Sequence, residues 1–441
     1  MIDPMMDRRR MLAATGTAFA ALMAAAATSR GALATTPLPP AGYGPLVPDP
    51  AGLFDLPQGF SYRVLSALGD TMSDGGRVPD NADGMGCLAL PGGKLALVRN
   101  HELRPGHDSG GATGPAFDRR DNGEILPGGT TTLVLDAQSL TVERQFRSLG
   151  GTIRNCAGGI TPWGSWLTCE EDLTRAGRGV GRDHGWVFEV PADATGPVDP
   201  VPLTAMGRFN HEAACVDPAT GIVYLTEDRP DGLFYRFVPK VPRKLAEGGV
   251  LQALALTERP ERDLRNWGAV DFAPGSSAMV RWITLDNVES PEDDLRQRGA
   301  ALGAARFARG EGVHMGDGEL YFACTSGGLA RVGQVFRLVP GADRLELFYE
   351  SPDKAEFHYG DNLTIAPDGQ LIVCEDQSGS SVDNHLRGIT RDGRAYPLAH
   401  LRIDTETAGV CFSPDGRVMF VNVFSPTKTL AITGPWAHLR S

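Results

Sequence analysis

Apolar positions along the chain fall into short runs, and one local pattern recurs. A turn containing Gly is followed by four or five apolar or β-forming residues and then by polar ones. The copies are PGGKLALVRNHE (91–102), WGSWLTCEED (163–172), PATGIVYLTED (218–228), GDGELYFACTS (316–326), PDGQLIVCED (367–376) and PDGRVMFVNV (414–423). Each predicts a hairpin turn opening into a strand. The interval between turn glycines runs from 47 to 97 residues. The shorter intervals match one four-stranded propeller blade per repeat, and the longer ones imply insertions. The largest gap lies between Val238 and Arg309, an insertion over about residues 240–308. Within it, Lys244–Leu256 and Glu292–Ala308 have helix-forming composition, with Ser290 and Pro291 placed as N-cap and first helical residue of the second.

Hairpin repeats without alternating helices exclude a βαβ fold. A pair of sandwiches is the other all-β solution, but six similar units favour a closed ring, which protects the strand edges. The expected fold is therefore all-β, a six-bladed β-propeller with a small helical insertion, built as one domain over residues 35–441.

Residues 1–34 read as a targeting segment and stand outside that fold. Arg8-Arg9-Arg10-Met11-Leu12 is a twin-arginine pattern, an Ala-rich apolar run follows to Ala27, and Ala32-Leu33-Ala34 supplies a cleavage site. The run is short for a membrane anchor. The twin-arginine (Tat) route carries folded proteins, often with metal installed, so the expected location is periplasmic or secreted.

Charge narrows the partners. The net charge is −12, and losing residues 1–34 removes four Arg and two Asp and leaves −14. Nucleic acid and anionic membrane surfaces are poor partners for such a surface. Seven cysteines without a CxxC pair do not form a disulfide framework.

Seven to ten residues before each turn Gly stands one residue able to bind metal: Asp83, Cys156, Glu212, Glu311, Asp361 and Glu406. Each opens a short strand rich in Gly or Ala, the composition suited to strands converging on a propeller axis. The pattern places one donor per blade at one end of a central channel. A single such carboxylate is equally well a strand-end residue. Several together would repel one another unless a cation lies between them, and clustered hard oxygens suit calcium. A second acidic set ends the following strands: Glu102, Glu170-Glu171, Glu227-Asp228 and Glu375-Asp376. Neighbours on a strand point to opposite faces, so at most one of each pair faces the channel. Glu102 and Glu171 are the preferred members. Cys156, equally readable alone as a small core residue, would bring a thiolate suited to iron or zinc. His101 and His211, each in an Asn-His-Glu triplet, are either orienting groups or satisfied structural histidines.

Several stretches together resemble the PhoX-type alkaline phosphatases. The most specific is NCAGGITPWGSWLTCEED (155–172), supported by NHE (100–102), GRFNHEAA (207–214), FARGEG (307–312), FACTSGG (322–328) and TAGVCFSPDGRVMFVN (407–422). The resemblance spans nearly the whole chain, to Gly434-Pro435-Trp436. It implies a six-bladed propeller hydrolysing phosphate monoesters at a mixed cluster of Ca2+ and Fe3+. Cys156 resembles the iron-binding thiolate. Glu171, Glu212, Glu311 and Glu406 resemble cluster carboxylates, extended to Glu102 and Asp361. Arg309, readable otherwise as a surface arginine, resembles the residue that clamps phosphate.

The expected partners are a small-molecule phosphoester and the Tat export machinery, with no nucleic acid and no stable membrane anchor, and the protein acting as a monomer. Two competing readings stand beside this one: a calcium-dependent lactonase or esterase propeller, and a non-catalytic propeller that calcium only stabilises.

Overall fold

The computed structural model describes residues 41–259, 262–377 and 382–436. The targeting segment at 1–34 lies outside the described residues. The described chain is all-β and propeller-like, with one α-helix, Leu295–Ala301.

All six recurring turns join antiparallel strand pairs. Their first strands are Ala82–Leu90, Asn155–Ile160, His211–Val216, Gly310–Met315, Gly360–Ile365 and Thr407–Phe412. A tight hairpin between right-twisted strands needs positive φ. Glycine supplies it at each turn, with φ from 71° at Gly416 to 91° at Gly164. The first strands neighbour one another in cyclic order, the last returning to the first. They approach closely: a Cβ at Gly159 would lie 1.8 Å from the Ala214 carbonyl oxygen, and one at Gly84 2.5 Å from Ala157 Cα. Only a residue without a side chain fits there.

Hydrogen bonding gathers the strands into five sheets rather than six separate ones. Two four-stranded units fuse because Ser277–Thr284 pairs with Gly249–Leu256 on one side and with Arg344–Glu350 on the other. The unit of Thr407–Phe412 is completed by a strand from the other end of the chain, Ser61–Ala67, which pairs with Lys428–Thr433. Between the sheets lie apolar layers. Phe234, Phe322 and Phe336 stack with Phe307 edge-on against them.

The predicted insertion is mostly sheet. Lys244–Leu256 is a short 3-10 turn, Leu245–Glu247, followed by the strand Gly249–Leu256. Gly248 and Gly249 interrupt a helix there. Leu251 and Ala253 enter one core cluster, Leu254 and Leu256 another. A strand buried on both faces loses its alternation, and its Ala/Leu content then mimics a helix. The second expected helix shrinks to Leu295–Ala301, capped at Asp294 rather than at Ser290-Pro291. Ser290 Oγ instead accepts from the Asp294 amide at 3.0 Å. Leu295 packs into the core.

Candidate metal centre and its arginines

Each of the six first strands carries a register shift near its start. Two residues there oppose one on the partner strand, which is a β-bulge. In five strands the first bulged residue is a metal-capable donor: Asp83, Cys156, Glu212, Glu311 and Asp361. Ahead of four of these, the residue two positions earlier has positive φ: Asn81 54°, Arg154 48°, Arg309 55° and Tyr359 56°. The left-handed turn and the bulge together re-aim the strand start, so that the donors converge.

They do converge. Asp83, Glu102 and Cys156 bring one ligand atom each within 4.8 Å of one another. So do Cys156, Glu171 and Glu212, and again Glu212, Glu311 and Asp361. The three groups share members, so six of the seven expected ligands, with Asp83, form one continuous arc.

Glu406 differs. In its strand the bulge falls on Gly409-Val410, between Ala408 and Cys411. Gly409 therefore holds the position that a donor holds in the other five. A Cβ there would lie 2.3 Å from the Asp83 carbonyl oxygen. Glu406 sits three residues earlier, before the strand, and borders the arc beside Asp376.

The second acidic set divides as strand alternation requires. Glu170 accepts from the amides of Ile153, Gly185 and Trp186 and pairs with His184. Glu227 accepts from the Leu233 amide and the Tyr235 hydroxyl. Glu375 accepts from the amides of His358 and His385 and from Arg387. These first members are structural anchors. The following residues, Glu171, Asp228 and Asp376, turn towards the arc.

Two arginines organise it. Arg154 Nη2 lies 2.6 Å from both Glu102 Oε1 and Glu171 Oε2, and its Nη1 donates to the Glu171 carbonyl at 2.7 Å. Asn210 donates to the other Glu171 oxygen at 2.7 Å. Arg309 donates from Nε and Nη2 to the two Asp228 oxygens at 2.8 and 2.9 Å. Its Nη2 is also 2.8 Å from Glu311 Oε1. Nη1 of Arg309 has no hydrogen-bond partner among the described residues. The fork is thus filled along one edge and open at its tip.

His101 and His211 are structural. His101 contacts the Asp80 carbonyl and Thr131 Oγ1, each at 2.9 Å. His211 Nε2 donates to the Gly207 carbonyl at 2.9 Å, and its ring lies on Phe209.

Burial and crowding shape the electrostatics. Glu212 is fully buried, and neither of its carboxylate oxygens has a hydrogen-bond partner; nor has Asp83 Oδ1. Burial, then the neighbouring Glu311 and Asp361, pushes the Glu212 carboxyl far above the usual range. Burial and Asp361 do the same to Asp83, and burial and Asp228 to Glu311. Asp361 is raised to about 7 by burial and Asp376, and Glu171 to about 8 by burial and Asp228 against the pull of Arg154. Burial, then Asp83 and Glu212, raises the Cys156 thiol, whose Sγ lies 3.4 Å from Asp83 Oδ2. Buried carboxylates without partners are costly unless cations lie among them. The donor set fits metal binding: clustered hard oxygens with orphaned lone pairs, and one thiol.

Sequence reasoning missed Asp228, Asp376 and Arg154 as parts of the site. The acidic pairs were visible, but which member turns inward depends on where pairing stops. Arg154 could have been found by its place: it stands two residues before Cys156, as Arg309 stands two before Glu311.

The sequence profile of the alkaline phosphatase PhoX family matches residues 41–141 and 129–427. The chain belongs to this family. It is a phosphatase, and its substrates are small phosphoesters. Among solved structures, Pseudomonas fluorescens PhoX, in complex with vanadate as a transition-state analogue, matches with a TM-score of 0.67 at 19% identity. That match covers 87% of this chain and 96% of the other. A gluconolactonase from Xanthomonas campestris matches with a TM-score of 0.43 at 14% identity, covering 89% of this chain and 99% of that one. No curated protein matches the chain. PhoX membership decides between the phosphatase and the two competing readings. Among the described residues no helix is long and apolar enough to cross a membrane.

Proposed function

We propose that this PhoX family member hydrolyses phosphate monoesters at a mixed cluster of Ca2+ and Fe3+ held by Glu102, Cys156, Glu171, Glu212, Glu311, Asp361 and Glu406, with Asp83 beside them. The observation that carries this reading is the buried arc of carboxylates around Cys156, with both Glu212 oxygens unpartnered. Bound cations would supply the charge that phosphoryl transfer needs at the non-bridging oxygens and the leaving group.

The chain's own residues divide the remaining work. Arg309 binds a phosphate oxygen through its open tip. Asp228 fixes the plane of that guanidinium from behind and is a positioning residue. Arg154 and Asn210 hold Glu171 at two separate oxygens, so that the carboxylate cannot swing away. Cys156, the one soft donor, would favour iron over calcium at its position within the arc.

The same reading counts six propeller blades by their inner strands, with residues 35–441 as one domain. It takes residues 1–34 as a Tat signal that delivers a monomer to the periplasm or the medium.

Arg309→Lys tests the phosphate role. Lysine keeps the charge but loses the fork. The expected result is a raised KM and a lower kcat for p-nitrophenyl phosphate, with metal content unchanged. Unchanged KM and kcat would remove Arg309 from the site.

A further inference from the structure

Away from the arc, two histidines face each other across the strands His385–Ile389 and Ala395–Leu401. His385 and His400 are direct cross-strand partners. Their rings lie 4.6 Å apart with 22° between planes. Asp383, two residues before His385, reaches over to them, with Oδ1 2.9 Å from His400 Nε2. One ligand atom from each of the three residues lies within 4.8 Å of the others.

The contacts behind the rings suit a proton on each Nδ1. His385 Nδ1 is 3.0 Å from the Asp383 carbonyl and 3.4 Å from Glu375 Oε2. Both can only accept, so Nδ1 carries the proton. Arg387 Nη2, at 3.5 Å, is the one competing donor and is at the limit of contact. His400 Nδ1 is 3.4 Å from Asp55 Oδ2, a carboxylate also held by Arg402 at 2.8 Å. In each ring Nδ1 thus faces a backbone carbonyl or carboxylate, while His400 Nε2 lies 2.9 Å from Asp383 Oδ1, a contact that needs a cation or a proton between the two acceptors. Metal-binding histidines are oriented by such Nδ1 contacts.

We propose that Asp383, His385 and His400 form a peripheral site for a divalent transition metal of the zinc class, outside the phosphatase centre. Two imidazoles and one carboxylate are a donor set for such an ion, with further positions left to water. The site would also act as a clip. Asp55 lies on the strand Phe54–Pro57, which pairs with Ala395–Leu401 in the register Asp55 to His400. A metal on His400 would fix the early strand against a late one.

The same atoms permit one other arrangement, an imidazolium on His400 shared by Asp55 and Asp383, which would bind no metal. Titration calorimetry of the untagged enzyme, carrying its resident metals, with ZnCl2 separates the two. The proposal predicts one Zn2+ equivalent that His400→Ala abolishes. It predicts that Asp383→Asn weakens this equivalent by about tenfold or more. The Asp383 side chain is 69% exposed, so this variant folds even where His400→Ala does not. Phosphatase activity should be unchanged in Asp383→Asn, and at equal concentration Zn2+ should raise the melting temperature of the parent more than that of either variant. No additional Zn2+ equivalent in the parent, or equal Zn2+ binding by parent and Asp383→Asn, would overturn the proposal.

Discussion

Arg309 is gripped along one edge by Asp228, with Nε 2.8 Å from Oδ1 and Nη2 2.9 Å from Oδ2. The grip fixes the guanidinium plane and leaves Nη1 as the open tip. Asp228→Asn removes one acceptor and should lower kcat/KM for p-nitrophenyl phosphate by about 10- to 100-fold, as loss of an orienting partner does. Asp228→Glu should recover part of that loss. Equal activity of Asp228→Asn and the parent would show that Arg309 needs no such support.

Cys156 is the one thiol in an arc of carboxylates. Cys156→Ala should lose iron, its visible absorption and at least about 90% of activity, while keeping calcium. A small buried residue replaced by a smaller one should cost only about 1–2 kcal/mol of stability. Full iron content in this variant would show that the thiol is a core residue and not a ligand.

The raised carboxyls give a pH dependence with a definite sign. In the metal-free protein Asp361 and Glu171 hold protons up to about 7 and about 8, against ordinary values of 3.8 and 4.5. The folded state therefore binds more protons than the unfolded state in this window. Their contribution is fully present below about pH 4 and is lost as pH rises through 7 and 8. Urea melts of chelated protein should show stability falling between pH 5 and pH 8, and restoring the metals should remove the trend. Rising stability of the chelated protein over that range would contradict the description of the arc.

Much of this was legible in the sequence, because turns and inner strands are local. Gly92, Gly164 and Gly416 announce their hairpins through a conformation that few other residues adopt. The one-donor-per-repeat pattern brought out Cys156, Glu212, Glu311 and Asp361 because the bulge sits seven to nine residues before the turn Gly. Glu406 departs from the pattern because it stands one residue before its strand, whose bulge falls on Gly409. The pattern passed over Asp228 and Asp376 because an acidic pair does not say which member faces inward. That choice is made by the last paired residue: Glu227 opposite His211, and Glu375 opposite Gly360. The strand Gly249–Leu256 was read as helix because burial on both faces erased its alternation.

The central claim is that the arc holds iron and calcium for phosphoester hydrolysis. Metal analysis of protein exported by its own signal tests it most directly, with p-nitrophenyl phosphate hydrolysis measured before and after calcium chelation. The account predicts iron and several calcium ions per chain, with activity lost on chelation and regained with calcium. Calcium without iron, or hydrolysis indifferent to the chelator, would contradict it.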